Sequence, residues 1–495
     1  MAAFNLLEAT IADVHAAYRA GQLTARQLVD MYLERIEAYD KKGPALNALV
    51  TVNPQARDEA DRLDAAYKSS GFVGPLHGIP IVLKDQADAK GMPTTLGSLL
   101  FKDYYPDRDA FVVEKLKKAG AIIIAKATLG ELGGGDTHGS LFGSTKNPYA
   151  LDRTPGGSSG GTAASVAANF ATVGIGQEGF ASIRRPATWN SIAGMRPTAG
   201  LVSRGGVFAG WPEIAGSLGP MCRTVTDLAT LLDVMVGYDP EDPVTARGVG
   251  RAPESFTKSL DASGLKGARI GIIRESMGFE AEPGSEDFKK IEEVFNRAVG
   301  ELKSAGAEIV DPVAIPRLKE LLDKRAGSYI DAEKGFQNYF GRSKRAPFAS
   351  RAEAAKSPDF PKVMRRSQAR WTRPEDPAKH YEYLLAREEL TTNFLKVMAD
   401  HRLDAIVHKA VEHQPTLIAD AFRPPYVDQK GVPHINTFLV FVPSIVVPAG
   451  FTRDNLPAGI CFLGRPYDDA KMIELAYAYE QATRHRRPPS STTPL

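Results

Sequence analysis

The sequence predicts an α/β layered fold, and three observations predict it. Short apolar runs rich in β-branched residues recur at 79–83, 121–125, 171–175, 268–273, 307–311, 404–408, 443–448 and 458–463. Such runs read as buried strands. Helical stretches lie between them, for example around 110–119, 286–304 and 468–483. Strand and helix alternate over the whole length, which is the pattern of a layered α/β chain.

Each element has a local reason. The first 70 residues read as helical. Gly21 ends one helix, and Thr24 with Gln27 three residues on has the pattern of a capping box that opens the next. Asn53-Pro54 opens a third helix, which Gly71 stops. From residue 71 the texture changes to the strand-like runs. Residues 315–402 are charged, helical in pattern and poor in strand signals, so a helical excursion over one face of the sheet is expected. The tail 486–495, RRPPSSTTPL, is rich in Pro, Ser and Thr and is expected to fray. There is no internal repeat.

Composition narrows the functional classes. With 495 residues, 43% of them hydrophobic, the chain can bury a sizeable core. Lys+Arg number 61 and Asp+Glu 59, so the net charge of +2 gives no electrostatic argument for nucleic acid or an anionic membrane. The two cysteines, Cys222 and Cys461, form no CxxC and no Cys/His pattern at metal spacing, which argues against a zinc site or a disulfide framework. The N-terminus reads as an amphipathic helix rather than a signal peptide. No apolar stretch approaches the roughly 20 residues of a transmembrane helix. A soluble, cytoplasmic protein is expected.

Three segments carry candidate chemistry. In GPLHGIPIVLKDQ (74–86) an apolar strand ends abruptly in Lys84-Asp85. Burial there would lower the lysine pKa and leave a neutral amine able to act as a base. The alternative is a surface lysine where the strand emerges. In TPGGSSGGTAASVAANF (154–170) four glycines flank two serines before an Ala-rich helix. Glycines let backbone N–H groups approach a ligand, although a flexible turn has the same composition. Gly156-Gly157-Ser158-Ser159-Gly160 also matches the GxSxG nucleophile elbow, but that elbow follows a strand directly, and the preceding STKNPYALDRTP is polar with two prolines. A Walker phosphate loop fails for want of Gly-Lys-Ser/Thr. In GIGQEGFASIRRPATW (174–189) a strand runs through small residues to Ser182, a pattern suited to backbone N–H groups aimed at an oxyanion. The alternative is a loop with Arg184 and Arg185 solvated.

In combination these segments resemble the amidase signature family over nearly the whole chain. The resemblance runs from GQLTARQLVDMYLERIEAYD through GPLHGIPIVLKD, GMPTTLGS, NPYALDRTPGGSSGG, SIRRPA, GMRPTAGLVSRGG and GPMCRTVTDLATLLDVMVG to VPAGFTRDNLPAGICFLGRPYDDA and AYAYEQAT. Twenty-four positions separate Ser158 from Ser182, the spacing expected of the family's two triad serines. The resemblance implies one domain over 1–495, with a mixed central sheet covered by helices on both faces and a signature core at 71–235. It implies that Ser182 is the nucleophile, Ser158 a bridging serine after a cis peptide bond, and Lys84 the base. The backbone N–H groups of Gly179, Phe180, Ala181 and Ser182 would form the oxyanion hole. No metal, cofactor or histidine is needed, and a homodimer is compatible with the family.

The chain departs from the family at one place. Where Gly-Thr-Asp-x-Gly-Gly-Ser is usual, it reads Gly176-Gln177-Glu178-Gly179-Phe180-Ala181-Ser182. Backbone donors survive any side-chain change except proline, so an oxyanion hole stays feasible. Phe180 either lines an apolar pocket or packs backwards into the core. Gly133, Gly134, Phe142 and Phe180 are the candidate pocket residues. The segments 126–142, 315–402 and 410–442 are expected to shape the pocket, and Gly133–Gly135 form either a mobile loop or a plain turn. The leading function is a stand-alone amidase acting on small apolar or aromatic amides, with aryl carbamates and esters as further substrates. Alternatives are the glutaminase subunit of a tRNA-dependent amidotransferase, and a Ser–His α/β-hydrolase using Ser158.

Overall fold

In the computed structural model, residues 4–208, 216–325, 332–422 and 429–495 are described. Residues 209–215, 326–331 and 423–428, which fall within the expected segments 71–235, 315–402 and 410–442, lie outside the described residues. The strands are β1 (Leu49–Val52), β2 (Pro80–Lys84), β3 (Ile122–Ala127), β4 (His138–Gly139), β5 (Gly143–Ser144), β6 (Val173–Glu178), β7 (Ala193–Arg196), β8 (Ser217–Cys222), β9 (Arg269–Ile272), β10 (Glu308–Val310), β11 (Ala405–Lys409), β12 (Ser444–Phe451) and β13 (Pro457–Leu463). Eleven of them form one sheet in the order β1-β3-β2-β6-β8-β7-β12-β13-β11-β9-β10. The sheet is mixed. β2 runs parallel to β3 and β6, and β9 parallel to β10 and β11, while β8 is antiparallel to β6 and β7. A single large domain results, with its central sheet flanked by helices.

All eight apolar runs are strands of this sheet. Three strands carry no such signal. β1 is a four-residue edge strand inside the segment that reads as helical, paired antiparallel with β3. β7 (AGMR) and β8 (SLGPMC) have almost no β-branched residues, and β8 holds a proline although it lies inside the sheet. Gly219 of β8 is required by close approach, because a Cβ there would run into the Met195 carbonyl.

Of the predicted helix signals, the capping box and the glycine stop hold, while the third helix begins at Ala56 after a turn at 54–55 rather than at Asn53-Pro54. Thr24 Oγ1 accepts from the Gln27 N–H, and the Gln27 side chain accepts from the Thr24 N–H, closing the capping box of helix Ala25–Tyr39. Gly71 follows helix Ala56–Ser70 at φ +82°, a conformation that a side chain would strain.

Helices Leu318–Leu322, Ala332–Phe340, Arg351–Ala354, Arg365–Thr372 and Pro377–Asp400 occupy the 315–402 segment. Part of it has an aromatic core of its own. Phe336, Tyr339, Phe340 and Trp371 bury themselves against Leu96, Phe101, Tyr104 and Leu132. The Phe101 and Phe340 rings stack at 5.3 Å.

The tail does not fray. Buried Arg35 donates to the carbonyls of Thr492 and Thr493, Ser491 Oγ donates to the Pro148 carbonyl, and Arg486 pairs with Glu8. A buried guanidinium needs acceptors for its five donors, and main-chain carbonyls of any sequence supply them. Composition therefore misjudges this segment.

Candidate active site

Lys84 is the last residue of β2, and Gln177 and Glu178 end the neighbouring parallel strand β6. The carboxyl ends of adjacent parallel strands thus open at one place, where α/β sheets generally bind ligands. Ser158 reaches it from the turn before helix Gly160–Ala167, and Ser182 from the turn between β6 and helix Arg184–Trp189.

Lys84 and Ser158 are in direct contact, and Ser182 is tied to them through the backbone. Lys84 Nζ donates to Ser158 Oγ at 2.7 Å and to the Gln177 carbonyl at 3.1 Å. Ser158 Oγ donates to the Gly133 carbonyl at 3.0 Å. The N–H of Ser159 donates to the Ser182 carbonyl at 3.1 Å, tying the two serine-bearing turns together. The Gly157–Ser158 peptide bond is cis. Lys84 and Ser158 are 0% exposed and Ser182 is 8% exposed, so Ser182 is the member of the trio that solvent or a substrate can reach.

Burial pulls the Lys84 amine well below the ordinary lysine range, and the nearby Glu178 carboxylate opposes this only in part. The reason is visible in the contacts of Glu178. Its carboxylate accepts from the N–H groups of Ile183 and Arg184 at 2.8 and 3.0 Å, and from Arg184 Nε at 2.6 Å. Arg196 Nη1 lies 3.9 Å away. Two buried arginines therefore share the charge of Glu178, and no carboxylate forms an ion pair with Lys84 among the described residues. The same carboxylate fastens the far end of the turn that carries Ser182.

Arg185 fastens the other serine. It pairs with Asp136 at 2.6 Å and donates to the carbonyl of Gly157 at 3.0 Å. Arg184 and Arg185 are both 1% exposed, so the alternative of a loop with both arginines solvated does not hold. Each has its charge matched by a buried carboxylate. Next to Lys84, Asp85 is buried in an ion pair with Lys126 at 2.9 Å, and burial raises its carboxyl above the usual range.

Gly133 is at the site through its carbonyl. Gly134 sits behind it under Arg370, which leaves no space for a Cβ. Arg370 donates to the carbonyls of Glu131 and Leu132, and Arg366 to that of Asp136. Helix Arg365–Thr372 of the excursion thus grips the loop that touches Ser158. Phe142 is placed elsewhere. Its ring wedges between Gly97 and Gly139, and it lines a groove of about 470 Å³ with Thr51, Pro93 and Lys102. Phe180 does not pack backwards into the core. Its half-buried ring meets His434 edge-on at 5.3 Å, with the Arg325 guanidinium 4.0 Å from the ring centroid.

Glu178, Arg185, Asp136 and Gln177 are site residues that sequence reasoning passed over. The available signal was the position of Glu178 where the family has Asp, since a carboxylate kept in a buried strand needs a buried cation.

Known proteins are similar to this chain in fold and sequence. A family model described as Amidase matches residues 27–473. A probable amidase of Arabidopsis thaliana is 32% identical over 512 residues, covering 98% of this chain and 92% of its own. A glutamyl-tRNA(Gln) amidotransferase subunit of Synechococcus sp. (strain CC9605) is 32% identical over 491 residues, covering 96% of each chain. Native peptide amidase from Stenotrophomonas maltophilia superposes with a TM-score of 0.87 at 34% identity, covering 98% of this chain and 99% of that one. The chain belongs to the amidase signature family and is an enzyme that hydrolyses the carbon–nitrogen bond of amides.

Proposed function

We propose that the chain is a stand-alone amidase for small apolar or aromatic amides, working through a Lys84–Ser158–Ser182 relay. The observation that carries this reading is the 2.7 Å contact between the buried Lys84 amine and Ser158 Oγ, with Ser182 the accessible member. Ser182 Oγ attacks the amide carbonyl carbon as its proton passes to Ser158 Oγ, whose own proton passes to Lys84 Nζ. The N–H groups of Gly179, Phe180, Ala181 and Ser182 receive the oxyanion. Collapse breaks the C–N bond, and the amine leaves with the proton returned along the relay. Water then attacks the acyl-enzyme by the same route, releasing the acid. Aryl carbamates and esters fit the same acyl-enzyme chemistry, because they differ in the leaving group. Similarity to a peptide amidase and to a probable amidase supports a free-standing enzyme.

A second reading, the glutaminase component of an amidotransferase, is favoured by the similarity to the Synechococcus protein. One assay separates the two. The purified chain is given an anilide, a primary amide, an aryl carbamate, an ester and glutamine, beside Lys84→Ala, Ser158→Ala and Ser182→Ala. Turnover of amides by the chain alone, lost in all three variants, supports the proposal. Turnover of glutamine only, or activity surviving loss of Lys84 or Ser182, overturns it.

A further inference from the structure

Three half-buried rings meet beside the catalytic turn. Phe180 and His434 meet edge-on at 5.3 Å, and His434 stacks on Phe279 at 5.3 Å with 16° between the ring planes. They come from three separate stretches of chain. Neither phenylalanine belongs to the hydrophobic core clusters. Partly exposed aromatic rings, one of them two residues from the proposed nucleophile, are the surface a ligand ring would meet.

The cluster has its own support. The segments 276–279 and 431–434 pair through Phe279 N–H to the Val432 carbonyl and His434 N–H to the Met277 carbonyl, both at 2.9 Å. The buried Glu412 carboxylate holds this pair in place. It accepts from the N–H groups of Met277 at 2.9 Å and Gly278 at 3.1 Å and from Ser276 Oγ at 2.5 Å, while the Glu412 N–H donates to the Gly431 carbonyl at 2.7 Å. A charge-assisted acceptor shared by three donors fixes a loop more firmly than neutral contacts do. The Arg325 guanidinium over the Phe180 ring adds attraction to the ring face. Burial and Arg325 hold the His434 imidazole neutral, its pKa pushed down to about 3, so the ring offers an uncharged surface at every working pH.

We propose that Phe180, Phe279 and His434 form an aromatic subsite selecting amides with an aromatic ring near the scissile carbonyl, and that Glu412 is its positioning residue. This rests on the amidase reading above. It adds to that reading two specificity residues remote from the signature segment and a carboxylate that touches no substrate.

The test uses the full chain and two substrate pairs: phenylacetamide against butyramide, and acetanilide against N-butylacetamide. The pairs place the ring on the acyl side and on the amine side respectively. Wild type is expected to prefer the aromatic member of at least one pair. Phe279→Leu and Glu412→Gln are each expected to lower that preference, read as the ratio of kcat/KM for the two members, about 3- to 10-fold, the factor an aromatic pair supplies. A purely structural role for Glu412 would lower both members together. Should a variant fail to fold, inhibition of wild type by phenylacetate against butyrate and by aniline against butylamine reads the subsite on each side, and equal inhibition within both pairs overturns it. Unchanged ratios in both pairs also overturn the subsite while leaving the amidase reading intact. No turnover of any amide by wild type defeats the amidase reading itself.

Discussion

Lys84 Nζ stands 2.7 Å from Ser158 Oγ with both side chains buried, and the carboxylate whose charge bears on the amine, Glu178, is bound by arginines instead. An amine in that position is a base at lower pH than an ordinary lysine.

Three results should follow from that lowered pKa. Activity should rise as pH climbs through the lowered Lys84 pKa and stay on a plateau well below the ordinary lysine range. Lys84→Met should lower kcat by at least about 10²- to 10⁴-fold, the usual contribution of a positioned base. The same substitution should remove a pH dependence of stability. Between the lowered folded pKa and the ordinary unfolded one, the unfolded state binds a proton that the buried amine does not, so wild-type stability is reduced at the acid end of that window and recovers as pH rises toward the unfolded pKa. Thermal melts of both proteins from pH 6 to 10 measure this, and parallel stability–pH curves would refute it.

Glu178→Ala should remove the shared partner of Arg184 and Arg196 and unfasten the Ser182 turn. Breaking a buried ion pair costs about 3–5 kcal/mol. A loosened nucleophile of about 1 Å costs about 10²-fold in rate. Glu178→Asp keeps the charge on a shorter arm and should recover most of the stability. Denaturant unfolding together with kcat separates the two effects.

Glu480 is buried beside the N-terminus of helix Val225–Met235, where its carboxylate accepts from the Val225 N–H at 2.9 Å. Burial raises its pKa from 4.5 to about 7. A raised carboxyl binds its proton more tightly in the folded state, so its contribution to stability is complete below about pH 4.5 and lost as pH rises through about 7. Glu480→Gln should flatten that part of the stability–pH curve. Equal slopes for wild type and variant between pH 5 and 8 would refute the assignment.

Deleting residues 488–495 should destabilise the protein by about 1–3 kcal/mol, because Arg35 loses the acceptors at Thr492 and Thr493 and keeps only those at Ala168 and Asn169. Differential scanning calorimetry of the truncated chain checks this. An unchanged melting temperature would show that the docked tail contributes nothing.

Much of the protein was legible in its amino-acid order, because the signals concerned are local. Runs such as 79–83 and 121–125 mark strands by their own apolar, β-branched content, and Thr24 with Gln27 marks a helix start by a hydrogen-bond pattern three residues long. The resemblance of the segments around Lys84, Ser158 and Ser182 to the amidase signature family pointed to these residues before any geometry was known. What only the tertiary structure decided depends on partners distant in the chain. β8 is a strand despite Pro220 because β6 and β7 flank it. Arg184 and Arg185 are buried because Glu178 and Asp136 are buried opposite them. The tail is ordered because Arg35 needs carbonyl acceptors, and Phe180 faces outward because His434 and Arg325 meet it there. Local sequence sets propensity, whereas the pairing of buried donors with acceptors and of charges with countercharges is settled only when the chain closes on itself.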